Sequence, residues 1–202
     1  MADPVRKIDR PFTYRDLRSW PDDERWEIIN GVAWNMTASP PTGHQGISME
    51  LSVRLHTALQ NHPCRVFASA LDVFLPGDLG VEEDDVTTVV EPDIMVVCDR
   101  SQLRERGCWG PPALVVEILS PYTSAKDISV KRDLYERSGV PEYWIIDPGN
   151  ECVLVYCLDV HGHYPENPAV LVGETILKPQ VDALADGEFS IPLPELFAAA
   201  RW

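Results

Sequence analysis

Apolar positions recur with helical spacing at Ile47, Leu51, Leu55, Ala58 and Leu59, which predicts a helix over about 43–60, ended by His62-Pro63. Three stretches beyond it read as strands: 65–75, rich in Val, Phe and Leu and closed by Pro76-Gly77; 87–98; and 113–120, entered through Gly110-Pro111-Pro112. A second helix is expected over 125–138, with Ser124 and Asp127 as its N-terminal capping box and Gly139 as its stop. Residues 142–147 form a fourth strand, closed by Pro148-Gly149-Asn150, and 152–158 alternate as its hairpin partner. Upstream, Thr13 and Asp16 read as a capping box opening a short helix. Residues 26–29 and 32–34 flank Asn30-Gly31, a pair suited to a type I′ turn because both of its central residues need positive φ. The tail shows short strands and a helical turn over 194–200.

The order is helix, three strands, helix, strand, with a hairpin added at each end. It predicts an α+β, or mixed α/β, fold with a mixed sheet, and not a doubly wound one, because no helices separate the first three strands. With no repeat, low-complexity run or linker, the 202 residues read as a single domain: a core of about 43–148, an N-terminal hairpin at 26–36 and a C-terminal extension over 151–202. At 45% hydrophobic and 24% charged, the composition excludes a disordered chain, a collagen-like repeat and a disulfide miniprotein. No apolar run approaches the ~20 residues of a membrane span, so no membrane association is expected. The opening MADPVRKIDR has no apolar segment of a secretory signal. The five cysteines show no Cys-x-x-Cys spacing, and Cys152 and Cys157 would face opposite sides of one strand; reduced thiols in a cytoplasmic protein are expected.

Charge alters the picture. The chain carries 17 Lys and Arg against 32 Asp and Glu, a net −15, which argues against a protein that coats nucleic acid non-specifically. A local face can still meet phosphates, because what matters there is local potential. Residues 100–137 hold seven bases against five acids, whereas Asp78, Glu82, Glu83, Asp84 and Asp85 form an acidic loop with no base, read as a solvated surface. No Gly-rich phosphate loop, Gly-x-Ser-x-Gly or zinc spacing occurs, so no organic cofactor is expected. His161-Gly162-His163 reads as a surface turn, and the six tryptophans as core and interface.

Two carboxylates interrupt buried strands. Glu117 breaks the run Val115-Val116-Glu117-Ile118-Leu119, and Asp93 the run from Val89 to Val97. An unpaired buried carboxylate costs several kcal/mol, so each needs a metal, a cation or a hydrogen-bond network. On neighbouring strands ~4.8 Å apart the two would share a site, and a divalent ion bound by oxygens would relieve their repulsion. Pairing of each acid with a buried Arg or a neighbouring backbone is the competing explanation. Lys131, on the helix after the Glu117 strand, could point its amine back over the end of the sheet.

These residues resemble the Uma-two family, restriction-endonuclease-like proteins of the PD-(D/E)XK nuclease superfamily. The resemblance lies in Glu91-Pro92-Asp93, in Val115 to Pro121, in Asp127 and Lys131, and in the run from Tyr135 to Pro148. It extends to Trp26 through Gly31 and to the Pro41–His44 segment, covers about 12–158, and is specific from Asp93 to Pro148. It implies the superfamily core of helix, three strands, helix and strand. It also implies Asp93, Glu117 and Lys131 as catalytic residues, with Asp93, Glu117 and the Ile118 carbonyl holding Mg²⁺ or Mn²⁺. Where the superfamily places Lys two residues after the acid, this chain has Leu119; Lys131 stands at the Uma-two position on the following helix. Its amine would orient the attacking water or stabilise charge on the phosphate. Glu27 and His44 match recurrent family positions, Glu27 as an accessory acid and His44 as a cap of the first helix or a phosphate neighbour.

The function expected is a Mg²⁺- or Mn²⁺-dependent endonuclease acting on DNA. Two alternatives stand beside it. One is a catalytically silent binding or scaffold protein on the same fold, favoured by the −15 charge and the broken Asp/Glu-x-Lys spacing; the other is a metal-free hydrolase using Asp93 and Glu117 as an acid–base pair. DNA would approach the least acidic segment, with Arg104, Lys126 and Arg132 on its phosphates. The aromatic residues and added hairpins suggest leftover apolar surface and hence a homodimer.

Overall fold

Asn30 and Gly31 both take positive φ, 52° and 74°, so the turn twists with its strands and closes a hairpin of β1 (Trp26–Ile29) on β2 (Val32–Asn35). A Cβ on Gly31 would stand 2.3 Å from Pro11 Cβ, so the turn also needs glycine for space. The computed structural model describes residues 10–21, 23–36, 39–75, 77, 81–120, 124–185 and 189–201; Pro76, Asp78 and Pro121 of the motifs above lie outside them. Ahead of the hairpin, Thr13 N–H donates to the Asp16 carboxylate at 2.9 Å, opening α1 (Tyr14–Leu17) as its capping box predicts.

After the hairpin come α2 (Thr42–Ala58), β3 (Arg65–Ala68), β4 (Asp72–Phe74), β5 (Val89–Val90), β6 (Ile94–Val97), β7 (Leu103–Arg104), β8 (Gly107–Trp109) and β9 (Leu114–Ile118). A π-helical segment (Lys126–Lys131) runs into α3 (Arg132–Arg137), followed by β10 (Glu142–Asp147), β11 (Cys152–Cys157) and β12 (Ala169–Val172). The chain then forms β13 (Ile176–Leu177), α4 (Asp182–Ala185), β14 (Ile191–Pro192) and α5 (Leu193–Ala198).

Two of the three strands expected from the sequence are each divided between two sheets. Residues 65–75 break at Ser69-Ala70 into β3 and β4, and 87–98 break at Glu91-Pro92 into β5 and β6. Pro92 has no N–H to continue a ladder, so the chain can change sheets there. One sheet has the order β2-β1-β5-β4-β8-β7, the other β12-β11-β10-β9-β6-β3. The second is mixed: β9 and β10 run parallel, while β3–β6, β6–β9, β10–β11 and β11–β12 are antiparallel.

Strand alternation sends side chains of this second sheet into two cores. Ile94, Val96, Val116 and Ile118 pack with Trp144 and Ile146 against Ile47, Leu51 and Leu55 of α2 and Leu196 and Phe197 of α5. On the opposite face, Met95, Val115, Tyr143 and Ile145 meet Leu134 and Tyr135 of α3 together with Ile29, Val73 and Val90 of the first sheet. The central sheet is therefore covered on both faces, which is why its strands read as near-continuous apolar runs.

Two expectations need correcting. Ser124 is already helical and Asp127 is turned inward, 3.8 Å from the Lys131 ammonium, so the pair does not cap the second helix. Cys64 and Cys98 flank the paired ends of β3 and β6 and are joined as a disulfide, where free thiols were expected; Cys108, Cys152 and Cys157 are free. The acidic loop is met by bases from elsewhere: Arg15 and Arg18 pair with Asp84 and Asp85, and Arg106 with Glu83. No helix among the described residues is long and apolar enough to cross a membrane.

Candidate active site

Ile94 pairs with Val116 across β6 and β9, so Asp93 and Glu117, one step further along each strand, stand opposite each other on the same face. Both line a cleft of about 430 Å³ at this end of the sheet, together with Ile118, Lys126, Asp127 and Lys131. His44, in the first turn of α2, and Arg25, just before β1, form other parts of its wall.

The two acids have different surroundings. Asp93 keeps 22% of its side chain exposed; its Oδ2 accepts the Ile118 main-chain N–H at 2.7 Å and lies 3.0 Å from His44 Nε2. With a carboxylate as partner, Nε2 is the protonated ring nitrogen, and the buried Nδ1 has no protein hydrogen-bond partner. Glu117 is buried, and its Oε1 accepts from Lys131 Nζ at 2.8 Å and from the Tyr135 hydroxyl at 2.9 Å. Burial pushes its pKa up to about 8; Lys131 opposes the shift, while the charges of Asp127, Asp93 and Glu27 add to it. Burial and the Glu117 charge also keep the Tyr135 hydroxyl protonated, so it remains a donor.

Lys131 cannot give Glu117 its whole charge because Glu27 shares it. Glu27 Oε1 lies 2.7 Å from Lys131 Nζ and accepts the Glu91 N–H at 3.0 Å; its Oε2 accepts from Lys126 Nζ at 2.5 Å. Burial alone would raise the Glu27 pKa, but Lys131 and then Lys126 outweigh it and hold the carboxyl at about 2. Burial disfavours the Lys131 ammonium, yet Glu117, Glu27 and Asp127 together keep it charged, with its pKa well above the usual value. Glu27 is thus a full anion with both oxygens engaged. It anchors the lysines and offers no oxygen to a metal.

Among the described residues, no group of three or more His, Cys, Asp or Glu side chains is arranged to hold a metal ion. The cleft is lined by the carboxylates of Glu91, Asp93, Glu117 and Asp127 and by Ile118; oxygens of this kind are hard donors that suit Mg²⁺ or Mn²⁺ with water completing the shell. Charge points the same way. Glu27, Asp93, Glu117 and Asp127, if all ionised, exceed Lys126 and Lys131 by two negative charges, the amount a divalent cation supplies.

Residues 13–185 match the Uma2 family, described as "Putative restriction endonuclease". The chain belongs to the Uma2 family. A solved structure titled "a putative nuclease belonging to DUF820", from Anabaena variabilis ATCC 29413, shares its fold with a TM-score of 0.73 at 21% identity, over 95% of this chain and 100% of that one. No curated protein matches the chain.

Asp93, Glu117, Lys131, Glu27, His44 and Ile118 of the sequence reading all gather at this Uma2 cleft. The three bases expected on DNA phosphates do not form one face there. Lys126 is buried against Glu27. Arg104 lies over the Trp109 ring on the edge of the other sheet, and Arg132 pairs with its neighbour Asp133; neither lines the cleft. The sequence reading gives Tyr135 and Asp127 no part in the site, Asp127 serving there as a helix cap and Tyr135 only as part of the family resemblance, although Asp127, Lys131 and Tyr135 recur every four residues, the spacing of one helical face. His161 and His163 lie on an exposed turn.

Proposed function

We propose that this Uma2 protein is a Mg²⁺- or Mn²⁺-dependent endonuclease that hydrolyses DNA phosphodiester bonds in the cleft at the end of β6 and β9. The observation that carries this reading is the meeting of Asp93, Glu117 and Lys131 at one sheet end, in a chain whose family is described as a restriction endonuclease. Asp93, Glu117 and the Ile118 carbonyl would hold the ion. A divalent ion held there polarises the phosphate and lowers the pKa of bound water. His44 and the Ile118 N–H fix the Asp93 carboxylate from one side, leaving its other oxygen toward the cleft. Tyr135 and Lys131 fix Glu117 in the same way. The Lys131 ammonium stands 2.8 Å from the Glu117 carboxylate, placed to orient the water or to balance charge that builds on the phosphate. A homodimer belongs to this reading, since cutting both strands of a duplex takes two clefts. Val170 and Val172, exposed on edge strand β12, supply apolar surface; a monomer by light scattering at micromolar concentration would remove this part.

Supercoiled plasmid, linear duplex and single-stranded DNA incubated with Mg²⁺ or Mn²⁺ test the proposal. Wild type should cleave at least one form and lose activity in EDTA. Glu117→Ala and Asp93→Asn should lose at least about 100-fold. Glu117→Ala should retain metal-independent DNA affinity, because a buried carboxyl whose pKa is pushed up to about 8 carries little charge at neutral pH and its loss removes no phosphate contact. If Glu117→Ala cleaves like wild type, the assignment is wrong. The silent-scaffold reading draws support from Lys131, whose contacts are all carboxylates; DNA binding with no cleavage in either metal would establish it.

A further inference from the structure

Lys126 stands outside the Asp93–Glu117–Lys131 constellation, yet its ammonium is buried 2.5 Å from Glu27 Oε2 while Lys131 takes Oε1 at 2.7 Å. Both lysines come from one helical segment, five residues apart. In an α-helix that spacing turns two side chains about 140° away from each other. In a π-helix the main-chain bond joins i to i+5, so the two stand on one face. The π winding of Lys126–Lys131 is what allows a single buried carboxylate to receive both.

We propose that Lys126 is a positioning residue for Lys131. By occupying Oε2, it leaves Glu27 only Oε1 to offer, and the Lys131 ammonium then reaches on to Glu117 at 2.8 Å. Without Lys126, Glu27 would be a buried anion with one oxygen unmatched, a costly state that Lys131 relieves by moving to seat on both Glu27 oxygens and leaving Glu117. Lys126 therefore acts on Lys131 through Glu27, although it also lines the cleft. The kinetic part of this inference rests on the nuclease reading; the geometric part does not.

Crystal structures and DNA-cleavage kinetics of wild type, Lys126→Met, Lys126→Arg and the double variant Glu27→Gln with Lys126→Met test it. In Lys126→Met, Lys131 Nζ is expected between the two Glu27 oxygens and away from Glu117. Its kcat should fall about 10- to 100-fold with KM for DNA unchanged. Lys126→Arg keeps a cation and should keep both the Lys131–Glu117 contact and kcat within a few-fold. In the double variant no anion draws Lys131 back, so it should remain on Glu117. A Lys126→Met structure with Lys131 still on Glu117 overturns the proposal. A rise in KM with unchanged kcat does so as well, because it would make Lys126 a phosphate contact. If wild type cleaves nothing, the nuclease reading fails and the Lys131 position in the variant crystals still decides. If Lys126→Met does not fold, the double variant decides, and loss of the Lys131–Glu117 contact there overturns the proposal.

Discussion

Asp93 and Glu117 are legible in the sequence because each is a charge in an apolar strand, and a carboxylate there must have a partner. Their partners were only half legible. Lys131 and Tyr135 lie where a helical period puts them, but the sequence offers Lys126 only as a base of the least acidic segment, for DNA phosphates, and the π winding of 126–131 instead lets it share Glu27 with Lys131. Asp72 shows the same physics away from the centre. Burial, aided by the Glu91 charge, raises its pKa to about 6. Its folded pKa thus lies above the ordinary aspartate value of 3.8, so the native state holds a proton that the unfolded chain releases. The stability this supplies is complete below pH ~3.8 and is lost as pH rises through about 6, on the order of 2–3 kcal/mol. Urea unfolding of Asp72→Asn should lack that decline. A variant that declines as wild type does would assign the effect to another group.

At the scale of elements, α2 and the hairpin appear in the structure close to where periodicity and Asn30-Gly31 put them, because both are set by local rules. The division of two strands between two sheets is a tertiary event: the residues on either side of Ser69-Ala70 and of Glu91-Pro92 have the same apolar character, and only their pairing partners differ. The approach of α2 to the chain end after α5 is equally silent in sequence. A Cβ on Gly46 would lie 1.9 Å from the Ala199 carbonyl oxygen, so helix and chain end touch backbone to backbone. Gly46→Ala should cost ~1–3 kcal/mol or more by forcing them apart, despite alanine's better helix propensity. Chemical denaturation checks the magnitude, and an unchanged midpoint would mean that the C-terminal segment shifts freely.

For the proposed activity, a chain of net −15 must meet a polyanion. Much of that acidity is already matched: the Glu83–Asp85 turn is paired with Arg15, Arg18 and Arg106, so this region repels a duplex less than its sequence suggests. Few cations remain for DNA at the cleft. Lys126 and Lys131 are buried in their own ion pairs, and Arg104 and Arg132 stand elsewhere. Arg25 is different. It lines the cleft with 42% of its side chain exposed; it pairs with Glu91 at 2.6 Å and donates to the Ser69 hydroxyl at 3.1 Å, and an exposed pair of this kind can open toward a phosphate that flanks the reacting one. Counterion release gives a slope of about −0.9 in log K against log salt for each phosphate neutralised. With so few contacts, the slope for duplex DNA should be no steeper than about −3, far from the value of about −10 seen when a basic surface grips DNA. Arg25→Ala should weaken binding for every sequence and flatten the slope by about 0.9, whereas Arg104→Ala and Arg132→Ala should leave both unchanged. Fluorescence anisotropy across a salt series measures all four proteins. A slope steeper than about −6, or one that responds to Arg104 or Arg132 and not to Arg25, would place the duplex on another face of the molecule.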